Sequence, residues 1–108
     1  MVTNLRMTTA LLKVVSAFLA DTETDRYGLD LMHDTGLASG TLYPMLVRLE
    51  RAGWVRAEWE RIDPVAEGRP ARRYYRLTPE GVAAARHEIA VLRQQLARAD
   101  AVGKAVKA

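Results

Sequence analysis

The 108-residue sequence contains no cysteine and only two histidines. The absence of cysteine excludes a disulfide scaffold, a thiolate nucleophile and any cysteine-ligated zinc or iron–sulfur site. His33 and His87 are far apart along the chain, and neither belongs to a His-x-x-x-His pair. The sequence therefore offers no nucleophile–base pair and no metal-ligand spacing. We expect no enzymatic activity, no metal site and no cofactor.

Long hydrophobic runs are also missing. The apolar stretch at residues 10–20 follows Arg6, as the core of a signal peptide would, but Lys13 interrupts it. It is far too short to span a bilayer, which takes about 20 apolar residues. We therefore expect a cytoplasmic protein with no membrane partner.

The composition is that of a folded chain, with 49% hydrophobic and 27% charged residues, which excludes a fully disordered protein. The length allows one small domain, or one domain with an appended helix. The net charge of +3 is unevenly distributed. Residues 1–37 are acidic overall, residues 38–47 carry no charge, and residues 48–76 hold eight arginines against five acidic residues. The basic excess therefore follows one uncharged stretch that contains glycine and threonine.

The spacing of apolar residues predicts three short helices, over residues 8–20, 26–35 and 39–52. Thr8 or Thr9 can cap the first helix, and Gly36 and Gly53 are expected to end the second and third. In the second helix, Leu29 and Met32 are expected to face inward. The residues expected to be buried in the first and third helices are Met7, Leu11, Val14, Val15, Phe18, Leu42, Leu46 and Leu49.

The second half predicts a hairpin and a long helix. Residues 54–61 alternate in polarity and residues 72–77 are rich in tyrosine, so both segments favour strands, joined by a loop at residues 62–71. Thr78 and Pro79 are typical of a helix start, and the helix should run to about residue 101, with residues 103–108 fraying. Its apolar seam, which we expect to form a dimer interface, repeats in heptads: Val82, Ala85, Ile89, Leu92, Leu96 and Ala99.

Three short helices, a hairpin and a long helix follow the order of a winged helix-turn-helix. This is a mainly α (α+β) fold in which the third helix enters the DNA major groove and the hairpin, or wing, contacts the flanking backbone. We therefore expect residues 1–78 to form the DNA-binding domain and residues 79–108 a dimerisation helix and tail. The candidate DNA contacts of the third helix, whose opening contains no acidic residue, are Ser39, Gly40, Thr41, Tyr43 and Arg48.

Simpler interpretations remain open for each element. A Ser-Gly pair before a helix usually only caps it, and arginines of a hairpin are usually solvated. The competing interpretation of the whole chain is a winged-helix adaptor that binds proteins and has lost its contact with DNA.

Three motifs carry a family resemblance: Tyr27-Gly28, Ser39-Gly40-Thr41-Leu42-Tyr43-Pro44, and Gly68-Arg69-x-x-Arg72-x-Tyr74-Tyr75-x-Leu77-Thr78-x-x-Gly81. With these motifs the sequence resembles the PadR family of bacterial transcriptional regulators, over about residues 8–98. The Gly-Thr-Leu-Tyr-Pro run is specific to that family, whereas Leu-Thr-Pro-Glu-Gly is shared with other winged-helix regulators such as the MarR family.

The resemblance implies a homodimeric repressor of the smaller PadR subfamily, which dimerises through one C-terminal helix and binds a pseudo-palindromic operator in double-stranded DNA. It also implies that Arg69, Arg72 and Arg73 belong to the wing. Apart from the resemblance, the hairpin sequence offers four arginines that can neutralise DNA phosphates, Arg69, Arg72, Arg73 and Arg76. Family members are typically relieved by small molecules, and some hold planar drugs against a tryptophan of the last helix. This sequence has no tryptophan there, because Trp54 and Trp59 fall in the hairpin. No ligand residues are therefore carried over.

Overall fold

The computed structural model describes the backbone of residues 2–107 and the side chains of residues 2–104. Met1 and Ala108, the outer ends of the two predicted segments, lie outside this range. The elements follow the predicted order of three helices, a hairpin and a long helix. They are α1 (Thr9–Ala20), β1 (Arg26–Tyr27), α2 (Gly28–Thr35), α3 (Ser39–Arg51), β2 (Val55–Trp59), α4 (Pro64–Glu67), β3 (Arg73–Leu77) and α5 (Pro79–Lys107).

The core lies between the first three helices and the hairpin. The predicted inward faces of α1 and α3 are confirmed, with Met7 half-buried at the edge and these side chains buried: Leu11, Val14, Val15, Phe18, Leu42, Leu46 and Leu49. The Oγ1 atom of Thr8 accepts a hydrogen bond of 3.1 Å from the Leu11 N–H, so Thr8 caps α1 as expected. Gly36 ends α2 with a φ of 72°, in the left-handed region that glycine tolerates best.

The second helix differs from the prediction. Arg26 and Tyr27 form the strand β1, which pairs antiparallel with β3, so α2 begins only at Gly28. The expected inward position of Leu29 is wrong, since its side chain is 71% exposed. The buried face instead contains Gly28, Leu31 and Thr35, at the i, i+3, i+7 spacing that also defines one side of a helix.

The sheet has the strand order β1-β3-β2, and the β2–β3 register runs from Val55 opposite Leu77 to Trp59 opposite Arg73. The connection at residues 62–71, predicted as a loop, contains the four-residue helix α4. Trp54 is fully buried and its indole N–H donates a hydrogen bond of 2.8 Å to the Thr3 carbonyl. Trp59, in contrast, is 59% exposed at the end of β2.

The third helix continues through Pro44, its sixth residue, and Tyr43 is helical in spite of the proline after it. A proline disfavours helical geometry in the residue before it, and the regular first turn of α3 departs from that preference. Pro44 has no N–H to donate to the carbonyl of Gly40, but Gly40 is exposed to water, which can pair with that carbonyl.

The last helix is anchored at its start by Thr78. The Thr78 Oγ1 atom accepts a hydrogen bond of 2.9 Å from the Gly81 N–H and donates one of 2.8 Å to the Gly53 carbonyl. At the other end, α5 continues past Gly103 to Lys107, so the fraying predicted after residue 101 is not observed. A single glycine costs a helix only about 1 kcal/mol relative to alanine, and Ala101 and Ala105, two residues to either side, favour the helix.

Candidate nucleic-acid interface

The exposed side of α3 presents the uncharged stretch that the sequence predicted. Ser39, Gly40 and Thr41 are all exposed. Ala38 is the N-cap residue and has no side-chain oxygen that could pair with the free N–H groups of the first turn. The Thr41 N–H donates to the Ala38 carbonyl at 3.0 Å, so the N–H groups of Ser39 and Gly40 are the ones that remain available to an anion, as at other helix N-termini that bind phosphate.

Two basic residues extend this surface along the helix. Arg48 and Arg51 are exposed in the last turns of α3. Within residues 2–104, neither has an ion-pair partner. The acidic residue between them, Glu50, is paired with Arg73 of the wing at 3.2 Å. The outward side of the helix is therefore uncharged at its start and positive at its end.

Tyr43 contacts another part of the helix-turn-helix. Its ring packs against Gly28 at the start of α2, where a Cβ on residue 28 would collide with the phenol. The side chain remains 41% exposed, beside a cleft of about 330 Å³ that is also lined by Arg72 and Arg73. Tyr43 therefore contributes to the packing of α3 on α2, a role the sequence analysis missed, and only its outer edge faces solvent.

The predicted wing arginines differ in what they contact. Arg69 forms a bidentate ion pair with Glu60, with its Nη1 and Nη2 atoms 2.7 and 3.2 Å from the carboxylate oxygens. Arg73 pairs with Glu50 and lies over the Trp59 ring, 5.3 Å from the ring centre. The Arg72 side chain is exposed and has no ion-pair partner in the described part of the chain. Arg72 is therefore the wing arginine that is free to meet a phosphate.

Arg76, which the sequence also placed among the phosphate-neutralising residues, is engaged elsewhere. Its guanidinium lies 3.1 Å from a carboxylate oxygen of Asp25 and also donates to the Glu23 carbonyl. Three of the four hairpin arginines are therefore already paired with a carboxylate: Arg69 with Glu60 directly after β2, Arg73 with Glu50 of α3, and Arg76 with Asp25 of the α1–β1 connection.

Glu60 is the residue near this surface that sequence reasoning missed. Its side chain is only 13% exposed, and hydrogen bonds from Arg69 and from the Arg72 N–H lower the pKa of its carboxyl from 4.5 to about 2. The only signal in the sequence was its position: Glu60 precedes the 62–71 connection, and Arg69 and Arg72 are at its far end.

The sequence profile of the transcriptional regulator PadR-like family matches residues 18–87. This chain is a member of the PadR-like family. Proteins of this family are transcriptional regulators and not enzymes, so the chain is a DNA-binding regulator in its general class. No curated protein matches the sequence.

Solved structures share the fold. A PadR-like transcription factor from Bacteroides fragilis is 23% identical, with a TM-score of 0.68 over 85% of this chain and 88% of that one. A Streptococcus transcriptional regulator is 28% identical, with a TM-score of 0.57 over 86% of this chain and 99% of that one. The disulfide form of AbfR is 24% identical, with a TM-score of 0.54 over 93% of this chain and 70% of that one. The winged-helix architecture with a long last helix is therefore confirmed.

The apolar seam of α5 is divided between two environments in this PadR-like chain. Ala85 is fully buried in the core of its own chain, while Val82 and Ile89 are half-buried against it. Ala85 therefore has no surface left for a partner, which corrects its expected place in a dimer interface. Leu92 is half-buried, and Leu96 and Ala99 are exposed. The surface available to a partner is the part of the seam from residue 89 onward.

The described residues of this PadR-like chain contain neither a membrane-spanning helix nor a metal-binding cluster. Between residues 2 and 107, no helix is both long enough and apolar enough to cross a membrane. No cluster of three metal-ligating side chains occurs in the same range.

Proposed function

We propose that this chain is a sequence-specific transcriptional repressor that binds a pseudo-palindromic operator as a homodimer. In this proposal residues 1–78 bind DNA, and residues 79–108 supply the dimerisation helix and tail. The two recognition helices would enter successive major grooves about 34–36 Å apart, or a multiple of that distance.

One observation carries the proposal: the exposed side of α3 is uncharged from residue 38 to residue 47 and then positive. Ser39, Gly40 and Thr41 offer a hydroxyl pair and an open backbone at the helix N-terminus, where base edges and phosphates are read. Arg48 and Arg51 follow on the same helix, with exposed side chains that can neutralise phosphates. A surface that bound only protein would have no need to exclude acidic residues there.

The wing would add a contact with the flanking backbone. Arg72 is exposed beside the cleft that separates the wing from Tyr43 and the start of α2. Arg73 belongs to the same surface, although it is held by Glu50 and Trp59. Contacts of this kind raise the affinity for any DNA sequence, whereas Thr41 and the outer edge of Tyr43 would discriminate between sequences.

Dimerisation would set the distance between the two recognition helices. Leu92, Leu96 and Ala99 extend the α5 seam beyond the chain's own core, and a groove of about 510 Å³ lies between α1 and this part of α5. A small-molecule effector that changed how α5 packs against α1 would shift the separation of the recognition helices and so the affinity for the operator. Without a tryptophan on α5, such a ligand would meet aliphatic side chains, among them Leu12 and Leu19.

The decisive experiment measures binding of the full chain to the DNA upstream of its own gene, by gel shift and by fluorescence anisotropy from 50 to 300 mM salt. We expect specific binding whose affinity falls steeply as salt rises, because each neutralised phosphate releases counterions. Binding that is absent, or insensitive to salt, would favour the protein-binding adaptor. Repression is then tested with a reporter gene behind the bound fragment, whose expression should fall when the protein is present.

A further inference from the structure

Residues 60 and 72, the two ends of the connection between β2 and β3, form the neck of the wing, and one carboxylate joins them. Glu60, directly after β2, accepts hydrogen bonds from both Nη atoms of Arg69, from the Arg72 N–H at 2.9 Å and from the Tyr27 hydroxyl at 3.4 Å. The Glu60 N–H in turn donates to the Arg72 carbonyl at 2.8 Å. Glu60 thus joins the two ends of the connection that contains α4.

The same carboxylate connects the wing to the helix-turn-helix. Tyr27 belongs to β1 and directly precedes α2, and its ring meets that of Tyr74 edge to face with the centres 6.2 Å apart. Its hydroxyl reaches Glu60 across the sheet. A change at Glu60 therefore acts on the neck of the wing and on its attachment to α2 together.

The pairing has opposite consequences for the two arginines. The guanidinium of Arg69 uses both of its terminal nitrogens on Glu60, the fork geometry that favours a carboxylate, so a phosphate would have to displace an existing partner. Arg72 is bound to Glu60 only through its backbone, and its side chain stays exposed.

We propose that Glu60 and Arg69 are positioning residues: together they hold the neck of the wing so that Arg72 faces the DNA backbone, and Arg69 itself does not contact DNA. This inference rests on the proposed DNA-binding function. It differs from the family resemblance, which assigned Arg69 to the wing on the same footing as Arg72 and Arg73.

The effect of Glu60→Gln on DNA affinity distinguishes a phosphate contact by Arg69 from a positioning role, because the two roles predict changes of opposite sign. If Arg69 contacted phosphate, Glu60→Gln would free its guanidinium and remove a negative charge, so binding would tighten. If the pair positions the wing, we expect Glu60→Gln and Arg69→Gln to weaken operator binding alike, by about tenfold, as for one lost charge-assisted contact. The double variant should be no weaker than the worse single variant, because both changes break one unit.

Three further variants sharpen the measurement. Arg69→Lys keeps the charge but loses the fork, so it should weaken binding as Arg69→Gln does, whereas a phosphate contact would survive it. Arg72→Gln should lower the salt slope by about one, the effect of one lost phosphate contact. Glu58→Gln is the matched control, since it removes the same charge from the same hairpin, keeps an oxygen that can accept from the Tyr74 hydroxyl, and leaves the contacts of Glu60 intact. It should leave the affinity within about twofold.

Amide hydrogen exchange of the DNA-free variants tests whether Glu60 holds the neck of the wing, without relying on DNA binding. In Glu60→Gln, exchange should accelerate in residues 61–72 and stay unchanged in α1 and α3, and Glu58→Gln should resemble the wild type. Unchanged exchange in residues 61–72, tighter DNA binding by Glu60→Gln, or full affinity in Arg69→Lys would overturn the proposal. If the wild-type chain binds no DNA while Glu60→Gln still loosens residues 61–72, the proposed function is wrong, but Glu60 does hold the neck of the wing.

Discussion

At the scale of single residues, Gly81 has a contact that its position in a common helix-start motif does not reveal. A Cβ on residue 81 would collide with the backbone carbonyl of Trp54, which cannot move aside as a flexible side chain would. The first turn of α5 lies this close because Thr78 hydrogen-bonds to the carbonyls of Gly53 and Trp54. We expect Gly81→Ala to lower the free energy of unfolding by about 1–3 kcal/mol, as overpacking does elsewhere. Urea denaturation measures the difference.

Gly103→Ala is the matched control, because Gly103 lies in the same helix with open space around it. There the added methyl meets nothing, and alanine favours the helix by up to about 1 kcal/mol over glycine. Equal effects of the two substitutions would show that position 81 does not require glycine for the close approach of α5 to Trp54.

Thr41 and Arg72 are expected to act differently on DNA. Thr41 is exposed in the first turn of α3, and Arg72 is exposed on the wing. We expect Thr41→Ala to reduce the ratio of operator to random-sequence affinity, because a base-edge contact carries about 1–3 kcal/mol of discrimination. Arg72→Ala should weaken both affinities by a similar factor. Anisotropy titrations with the two DNA fragments measure both, and a common pattern in the two variants would contradict the division of roles.

Which side chains face solvent could be predicted well, but which arginines are free could not. Hydrophobic spacing identified the buried positions of α1 and α3 because burial follows the helical period. Arg69 and Arg72 look alike in the sequence. They differ only because Glu60, nine residues before Arg69, lies across the neck of a folded hairpin. Pairing of this kind depends on register and loop shape, which spacing along the chain does not encode.

At the scale of elements, the predicted helices were accurate where the apolar pattern was long, and wrong where it was short. Met32 packs against the core as expected, but Leu29 does not, although Leu29 and Met32 fit a helical face as well as Leu31 and Thr35 do. The choice is decided by β1, a two-residue strand too short to leave a pattern. The helix α4 spans only four residues and was also missed, although Asp63 caps it by accepting a hydrogen bond of 3.0 Å from the Val65 N–H.

The wing should lose stability in acid because of Glu60. The pKa of its carboxyl is about 2 in the folded protein, below its ordinary value of 4.5, so the ionised form is favoured by folding. This contribution is present above about pH 4.5 and is lost as the pH falls toward 2. The Glu60→Gln variant lacks this stabilising contribution at every pH. The difference in unfolding free energy between wild type and Glu60→Gln should therefore be largest near pH 7 and shrink on acidification.

Urea denaturation at pH 7, 4 and 3 measures this difference. Arg69→Gln provides an independent check, because removing the arginine raises the pKa of Glu60 toward its ordinary value and flattens the same curve. A difference between wild type and Glu60→Gln that stays constant from pH 7 to pH 3 would contradict the role assigned to the ion pair.

At the scale of the whole molecule, the last helix projects far beyond the core. Its radius of gyration is 17.1 Å, whereas a compact domain of 108 residues has one of about 13 Å. The excess comes from α5, whose 29 residues span about 44 Å and far exceed the part that packs against the core. Leu96 and Val102 are 58% and 64% exposed on this projecting part. A projecting helix with an exposed apolar seam is stabilised when a partner covers that seam, which a second copy of the chain would do.

Leu96→Glu tests this directly. Leu96 is exposed in the single chain, so the substitution should not disturb the chain's own core, but it would bury a charge in the proposed interface. We expect wild-type dimers and Leu96→Glu monomers by sedimentation at micromolar concentrations. Because two tethered half-sites bind far more tightly than one, operator affinity should fall about a hundredfold or more.

Gln94→Glu adds the same charge two residues away, on the side of α5 opposite the seam, and is also exposed. It should remain a dimer and keep its affinity for the operator. If the Leu96→Glu variant remains dimeric, the dimer interface does not include this part of α5. Monomers that still bound the operator at full affinity would mean that one recognition helix and one wing suffice, and that α5 does not set the spacing of half-sites.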